Sequence, residues 1–321
     1  MKIYFRNFNI YKLLFSYLLT FTLSFFANAE ENLWIYTKGT DTRPKGSFEV
    51  KLSDIIRIDK SSGKYIFHDI RPEIEYGITD KLTIGAEAII FDHNYSVNDE
   101  NLNPMYETQG ADNKFKKTQY AGYEVALKYN LLSPYKDDIG LSLGLSYEDR
   151  DRYRLDGAKI DQKSYVGTIF VQKNWIDNLL TLAINLKTEL ERRKSASDSV
   201  LEEEVAFDIS AGISYRFIPK HFIGFEVRMQ SDYLSPSENG IKDPGLQSSN
   251  WDLDDISIGT RHQYGWYAGP TYHYAQKHWW ATAGILFQFH GGGSQHAYNK
   301  NSKNYDEHEK MHVGLSYGYE F

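Results

Sequence analysis

The feature that most restricts this chain is a two-residue alternation of apolar and polar side chains, sustained over ten residues or more at a time. In "EVAFDISAGISYRF", Val205, Phe207, Ile209, Ala211, Ile213, Tyr215 and Phe217 share one face. Glu204, Asp208, Ser210, Gly212, Ser214 and Arg216 share the other. "IGLSLGLSYE" repeats the pattern, with Ile139 to Tyr147 at odd positions opposed to Gly140 to Glu148 at even ones. Side chains alternate across a β-strand, so each stretch reads as a strand with one apolar face. Strands of soluble sheets run about 5–6 residues, whereas a tilted strand crossing a bilayer needs about 9–11. These stretches have the second length.

Twelve such segments follow, at about 46–58, 65–76, 82–95, 118–131, 139–149, 163–175, 179–191, 202–217, 222–233, 262–275, 279–290 and 308–321. Short connections ("GITDK", "LLSPYKDD", "IDN", "IPKH", "AQKH") alternate with polar loops at about 96–117, 150–162, 192–201, 234–261 and 291–307, with "DKSSGK" the one short exception. The pattern predicts an all-β, antiparallel transmembrane β-barrel of about 12 strands, with short periplasmic turns and long extracellular loops. An even strand number puts both termini on the short-turn side.

The remaining bounds agree. "MKIYFRNFNIYK", the apolar run Leu13 to Phe26 and "ANA" before Glu30 predict a Sec signal peptide over 1–29. Residues 30–45 are then expected as a periplasmic N-terminal segment, ahead of a barrel over 46–321. The absence of Cys excludes disulfides and a lipoprotein anchor. A net charge of −7 leaves no basic footprint for nucleic acid. Aromatic residues are expected in two girdles at the headgroup level. Tyr76, Tyr129, Trp175, Phe217, Phe222, Trp279, Trp280, Tyr319 and Phe321 fall near short-turn ends, and Tyr95, Tyr147 and Tyr233 near long-loop ends.

The closing stretch "MHVGLSYGYEF" puts Met311, Val313, Leu315, Tyr317, Tyr319 and Phe321 on one face. It resembles the C-terminal signature of Gram-negative outer-membrane barrels. That resemblance implies a cell outer membrane location, outer-membrane lipid around the barrel, and recognition of Phe321 by the barrel assembly machinery. "RPEIEYGITDKLTIGAEAIIF" (Arg71 to Phe91) and "YAGPTYHYAQKHWWATAGILFQF" (Tyr267 to Phe289) resemble an uncharacterised family of such barrels, a domain of unknown function. The resemblance implies a barrel and brings no activity.

With the apolar face outward, the charges face the lumen. Asp69, Arg71, Glu73 and Glu75 come from the second segment, Glu87 from the third, Glu124 and Lys128 from the fourth, and Glu148 from the fifth. Lys187 and Glu189 follow on the seventh, Glu204, Asp208 and Arg216 on the eighth, Glu226 and Arg228 on the ninth. Arg71, Glu73, Glu75, Glu87, Lys128, Arg216 and Arg228 are expected at the constriction. Acid outnumbers base, which favours a narrow, porin-like pore with weak cation preference. The same set could instead cross-link the wall as an ion-pair network, since twelve strands lie between filled and open barrels.

Enzyme-like patterns carry less weight. "GLSLG" around Ser142 fits a nucleophile elbow, and "HGGG" at His290 to Gly293 fits an oxyanion loop. An elbow needs strand, sharp turn and helix, whereas Ser142 lies inside β alternation. No His has Ser two residues on, the spacing that a twelve-stranded phospholipase barrel uses to activate a hydroxyl. His290, His296, His308 and His312 could meet at a metal, and "DLDD" at Asp252 to Asp255 could hold calcium, but solvated loops account for both. No catalytic residue, metal or cofactor is expected. A lipid-modifying barrel enzyme with a cross-strand dyad is the alternative, and a receptor or adhesin acting through 234–261 a further one.

Overall fold

The computed structural model describes residues 32–97, 114–196, 201–234, 260–293, 299–300, 302–305 and 307–321. The signal peptide, Asp252 to Asp255, His296 and nearly all of the 234–261 loop lie outside the described residues.

Twelve strands close into one antiparallel barrel. They are β1 (Phe48–Lys60), β2 (Gly63–Thr79), β3 (Leu82–Val97), β4 (Lys114–Leu132), β5 (Gly140–Arg152), β6 (Lys159–Trp175) and β7 (Leu180–Ser195). Next come β8 (Leu201–Ile218), β9 (His221–Leu234), β10 (Thr260–Ala275), β11 (Trp279–Gly293) and, closing the ring, β14 (Met311–Glu320). A small hairpin, β12 (Asn299–Lys300) and β13 (Lys303–Asn304), sits in the β11–β14 connection. Each strand pairs with its chain neighbour, and β1 pairs with β14 from Glu49 opposite Glu320 to Ile58 opposite Met311. Closure leaves no strand edge to satisfy, which a sheet in hydrocarbon requires.

The period-two pattern sets the outer surface. Val50, Leu52, Leu127, Leu143, Leu145, Ile169, Ile213, Phe225 and Leu315 are all exposed. So wide an apolar surface would be an aggregation liability in water and is the lipid-facing belt of a transmembrane barrel. Phe48, Tyr76, Trp279, Tyr317 and Tyr319 cluster at the short-turn rim, with rings 4.6 Å apart for Phe48–Tyr76 and 5.9 Å for Trp279–Tyr317. Phe222, Trp280 and Tyr95, expected in the girdles, are instead buried on the inner face.

The lumen is not empty. Residues 32–44, expected in the periplasm, run inside the barrel at its short-turn end. Their backbone is held by inward side chains rather than by a ladder. The Glu226 carboxylate accepts N–H bonds from Ile35, Tyr36 and Thr37 at 3.1, 3.0 and 2.5 Å. Asn185 accepts from Lys38 N–H (2.6 Å) and donates to the Lys38 carbonyl (2.8 Å), as a strand would. Gln172 accepts from Thr40 N–H, and Thr83 from Arg43 N–H, both at 2.8 Å. Apolar packing completes the anchor, as Leu33 and Trp34 join Ala183, Phe222, Ala275 and Trp280 in one buried cluster. Each fully buried apolar side chain contributes about 1.5–3 kcal/mol.

A second apolar cluster closes part of the long-loop end. Tyr65, Phe67, Ile89, Phe91, Tyr95, Val97 and Ala121 point inward and pack on Leu155. Leu155 belongs to the β5–β6 loop, which folds into the barrel mouth. Tyr65 Oη donates to the Leu155 carbonyl at 2.7 Å and Tyr95 Oη to the Asp156 carbonyl at 3.1 Å. From the opposite wall the β11–β14 connection also tucks in, with Tyr267 Oη donating to the Glu309 carbonyl at 3.0 Å.

Candidate functional site

Between the two apolar clusters lies a polar cavity of about 320 Å³. Eight carboxylates and eight basic side chains line it. The expected acidic excess is therefore corrected to a balance. Four of the basic groups went unread: Lys51 and Arg57 of β1, Lys38 of the N-terminal segment and Arg154 of the β5–β6 loop. β1 hides its inward face because Asp54 and Ile55 reverse the alternation. Lys38 and Arg154 lie off the strands, where periodicity gives no direction.

Arg71 is the centre of the network. Its guanidinium bonds Asp69 at 2.8 Å and Glu87, and reaches Glu124 and Glu148 at 3.2 Å each. One cation thus ties together β2, β3, β4 and β5. Arg150 extends the chain to Glu148 at 2.6 Å and towards Glu191 at 3.7 Å. Lys51 pairs with Glu73 and lies 3.7 Å from Glu75. Lys187 pairs with Glu189 at 3.4 Å, and Arg228 with Asp208 at 2.5 Å. Lys128 donates to the Gly39 carbonyl at 2.8 Å, so it carries the N-terminal segment as well as lining the cavity.

Three of the expected lumen residues stand away from the cavity wall. Glu226 lies beneath the N-terminal segment as its N–H acceptor. Glu204 sits higher, 3.3 Å from Arg193. Arg216 is at the short-turn end, with its guanidinium 6.0 Å from the Phe222 ring centroid, and takes no place in a constriction around this cavity.

The hydrolase-like patterns have structural uses. Ser142 is fully buried, donates to the Thr40 carbonyl at 2.5 Å and accepts from Asn130 Nδ2 at 3.0 Å. Gly140 beside it leaves room for Thr40, whose Oγ1 would lie 2.4 Å from a Cβ there. "GLSLG" is thus a landing strip for the N-terminal segment. Gly291, Gly292 and Gly293 continue β11 opposite Gly265, Tyr264 and Gln263 instead of opening a loop.

Among the described histidines, His290 stands apart from His308 and His312. His290 is on the exposed outer face at 3.4 Å from Tyr264 Oη, whereas His308 and His312 are buried. Among the described residues no three His, Cys, Asp or Glu side chains form a metal cluster. His312 bridges Tyr36 Oη at 2.8 Å and Glu309 Oε2 at 3.1 Å, joining the N-terminal segment to the β11–β14 connection. Glu309 also pairs with Lys60 at 3.0 Å. Burial pushes the neighbouring His308 imidazole down to about 3.

Among solved structures, the COG4313 outer membrane channel from Pseudomonas putida F1 superposes with a TM-score of 0.55 at 10% identity, over 88% of this chain and 98% of that one. The KdgM porin gives 0.42 at 12% identity, over 85% and 99%. At 10% identity the likeness to the first of these is one of fold. No curated protein matches the chain in sequence. A family profile described as "Family of unknown function (DUF6662)" matches residues 26–321.

Proposed function

The chain belongs to DUF6662, a family of unknown function, and we propose that it is a narrow outer-membrane diffusion channel for small polar solutes. The observation that carries this reading is the polar cavity, held between two apolar clusters and lined by equal numbers of acidic and basic groups. A cavity so lined stays hydrated, and its balanced charge gives neither ion sign a strong preference. The N-terminal segment below and the inward loops above keep the path narrow. Phe321, 72% exposed at the rim, is accessible to the assembly machinery that would insert the barrel.

No residue acts as a catalyst in this reading. The Tyr36–His312–Glu309 chain faces the lumen, walled from hydrocarbon by the barrel, so a lipid ester has no route to it. Its hydrogen bonds serve to pin two segments together.

The test is single-channel conductance of the refolded protein in a planar bilayer, with reversal potentials measured in a salt gradient. Small steps with a reversal potential near zero are expected. Neutralising Glu87 and Glu124 together should shift the preference towards anions. A folded barrel that stays electrically silent at every voltage would sink the proposal.

A further inference from the structure

We propose that the outer rim of β2, β3 and β4 is a binding site for the phosphate groups of a phosphorylated glycolipid in the outer leaflet. The proposal concerns the outside of the wall and does not depend on whether the lumen conducts.

Side-chain direction is settled by the inner face. Tyr65 and Phe67 are buried inside, so Lys64 and Ile66 point out. Phe115 packs inward on His93 and Tyr95, so Lys114 and Lys116 point out as well. All three lysines are exposed. The register sets Lys64 beside Ser96 and Ser96 beside Lys114, while Ile66, Asn94 and Lys116 share the adjacent outward row. Two strand spacings separate Lys64 from Lys114 by about 10 Å, and two residues of rise separate Lys114 from Lys116 by about 7 Å. Three ammonium groups thus surround one hydroxyl and one carboxamide, with no carboxylate in either row.

Among the described residues, the neighbouring carboxylates of these strands are already engaged. Asp92 accepts from Thr118 Oγ1 at 2.6 Å and Asp54 pairs with His68 at 2.8 Å. Among the described residues none of the three lysines makes an ion pair or belongs to an electrostatic contact. Like charges held this close repel, and a phosphate between them would relieve that. The level is also right. The row His68, Asp92, Thr118 ends the apolar belt on this side, and the lysines stand on the next two outward rows. Below that row the next outward row is Ile70, Ile90 and Tyr120, the last 60% exposed, as acyl chains would need. Further round the wall, outward positions of β5 and β6 carry Asp149, Asp151 and Asp161, so the basic patch is local. A phosphorylated glycolipid fits this triangle and the apolar row below it together, whereas a free phosphate engages the lysines alone.

The experiment uses the protein refolded into nanodiscs of zwitterionic phosphatidylcholine, with folding verified separately by heat-modifiable migration. Diphosphorylated lipid A is titrated in, with its dephosphorylated form and inorganic phosphate as the comparison probes. Retention of the diphosphorylated lipid is expected, with little binding of the dephosphorylated form and no competition from millimolar phosphate. Lys64→Gln, Lys114→Gln and Lys116→Gln combined should weaken binding on the order of a hundredfold, and K64Q or K116Q alone about fivefold. Equal binding of the dephosphorylated lipid, or full competition by phosphate, would overturn the proposal. So would a triple variant within about twofold of the parent. The single variants and the two-lipid comparison decide the matter if the triple variant does not fold.

Discussion

Gly212 and Gly314 face into the lumen where side chains of the N-terminal segment press on bare backbone. A Cβ at Gly212 would stand 2.4 Å from Trp34 Cε2, and one at Gly314 would stand 2.5 Å from Ile35 Cβ. Because the obstruction in both cases is a side chain of the segment and not the wall, Gly212→Val with Gly314→Val should expel the segment and leave the barrel paired. Conductance several times that of the parent, with heat-modifiable migration retained, is the expected result. Unchanged conductance would mean that the segment is not the obstruction. Arg71 carries the opposite lesson, since four carboxylates depend on it. Removing one partner of a buried ion network costs about 3–5 kcal/mol, and hydration of the cavity puts Arg71→Gln at the low end. The variant should unfold at lower denaturant and conduct with clear cation preference in reversal-potential measurements. These two residues differ in legibility. Arg71 could be placed inward from period two alone, whereas nothing in the sequence around Gly212 says which side chain fills its space.

The long loops behave as elements with two kinds of contact. The β5–β6 loop is held by an apolar cluster, and the β11–β14 connection by buried polar groups, among them Glu309 on Lys60 and His312. The second kind responds to pH. His308 is pushed down to about 3 by burial, against about 6.5 for a free imidazole. The open loop therefore binds the proton more readily than the packed one. Its packing is fully favoured above about pH 6.5 and weakens progressively as pH falls towards 3. Protection factors for amide hydrogen exchange over 303–310, which already correct for the intrinsic slowing of exchange at lower pH, should fall between pH 7.5 and pH 4.5, and His308→Gln should abolish that fall. Equal protection at both pH values would remove His308 as the cause. At this scale strand identity was readable and strand ends less so. The upper parts of β2 and β3 put Phe67, Phe91 and Tyr95 inside, against the apolar-out rule. They do so because a loop packs on them there, and membrane alternation no longer governs residues above the belt.

The barrel closes through β1 and β14 without help from residues 32–44. The ladder satisfies its own backbone, so deleting those residues should leave a heat-modifiable barrel with a larger and noisier conductance. Loss of folding would show instead that the segment is part of the core. Its role as a filler follows from size, since twelve strands enclose more space than their own side chains occupy. What the sequence by itself determined is the set of properties carried by each strand alone: its length, its apolar outward face, and the inward charges such as Glu73, Glu87 and Lys128. A period of two is a local property, and a bilayer selects for it at every strand independently. What only the tertiary structure decided is what enters the lumen and with which charge. Lys38, Arg154 and the Glu226 anchor act across separations of more than a hundred residues or from irregular backbone. No periodicity records such pairings, because they exist only once closure has brought both sides of the wall within reach of one segment.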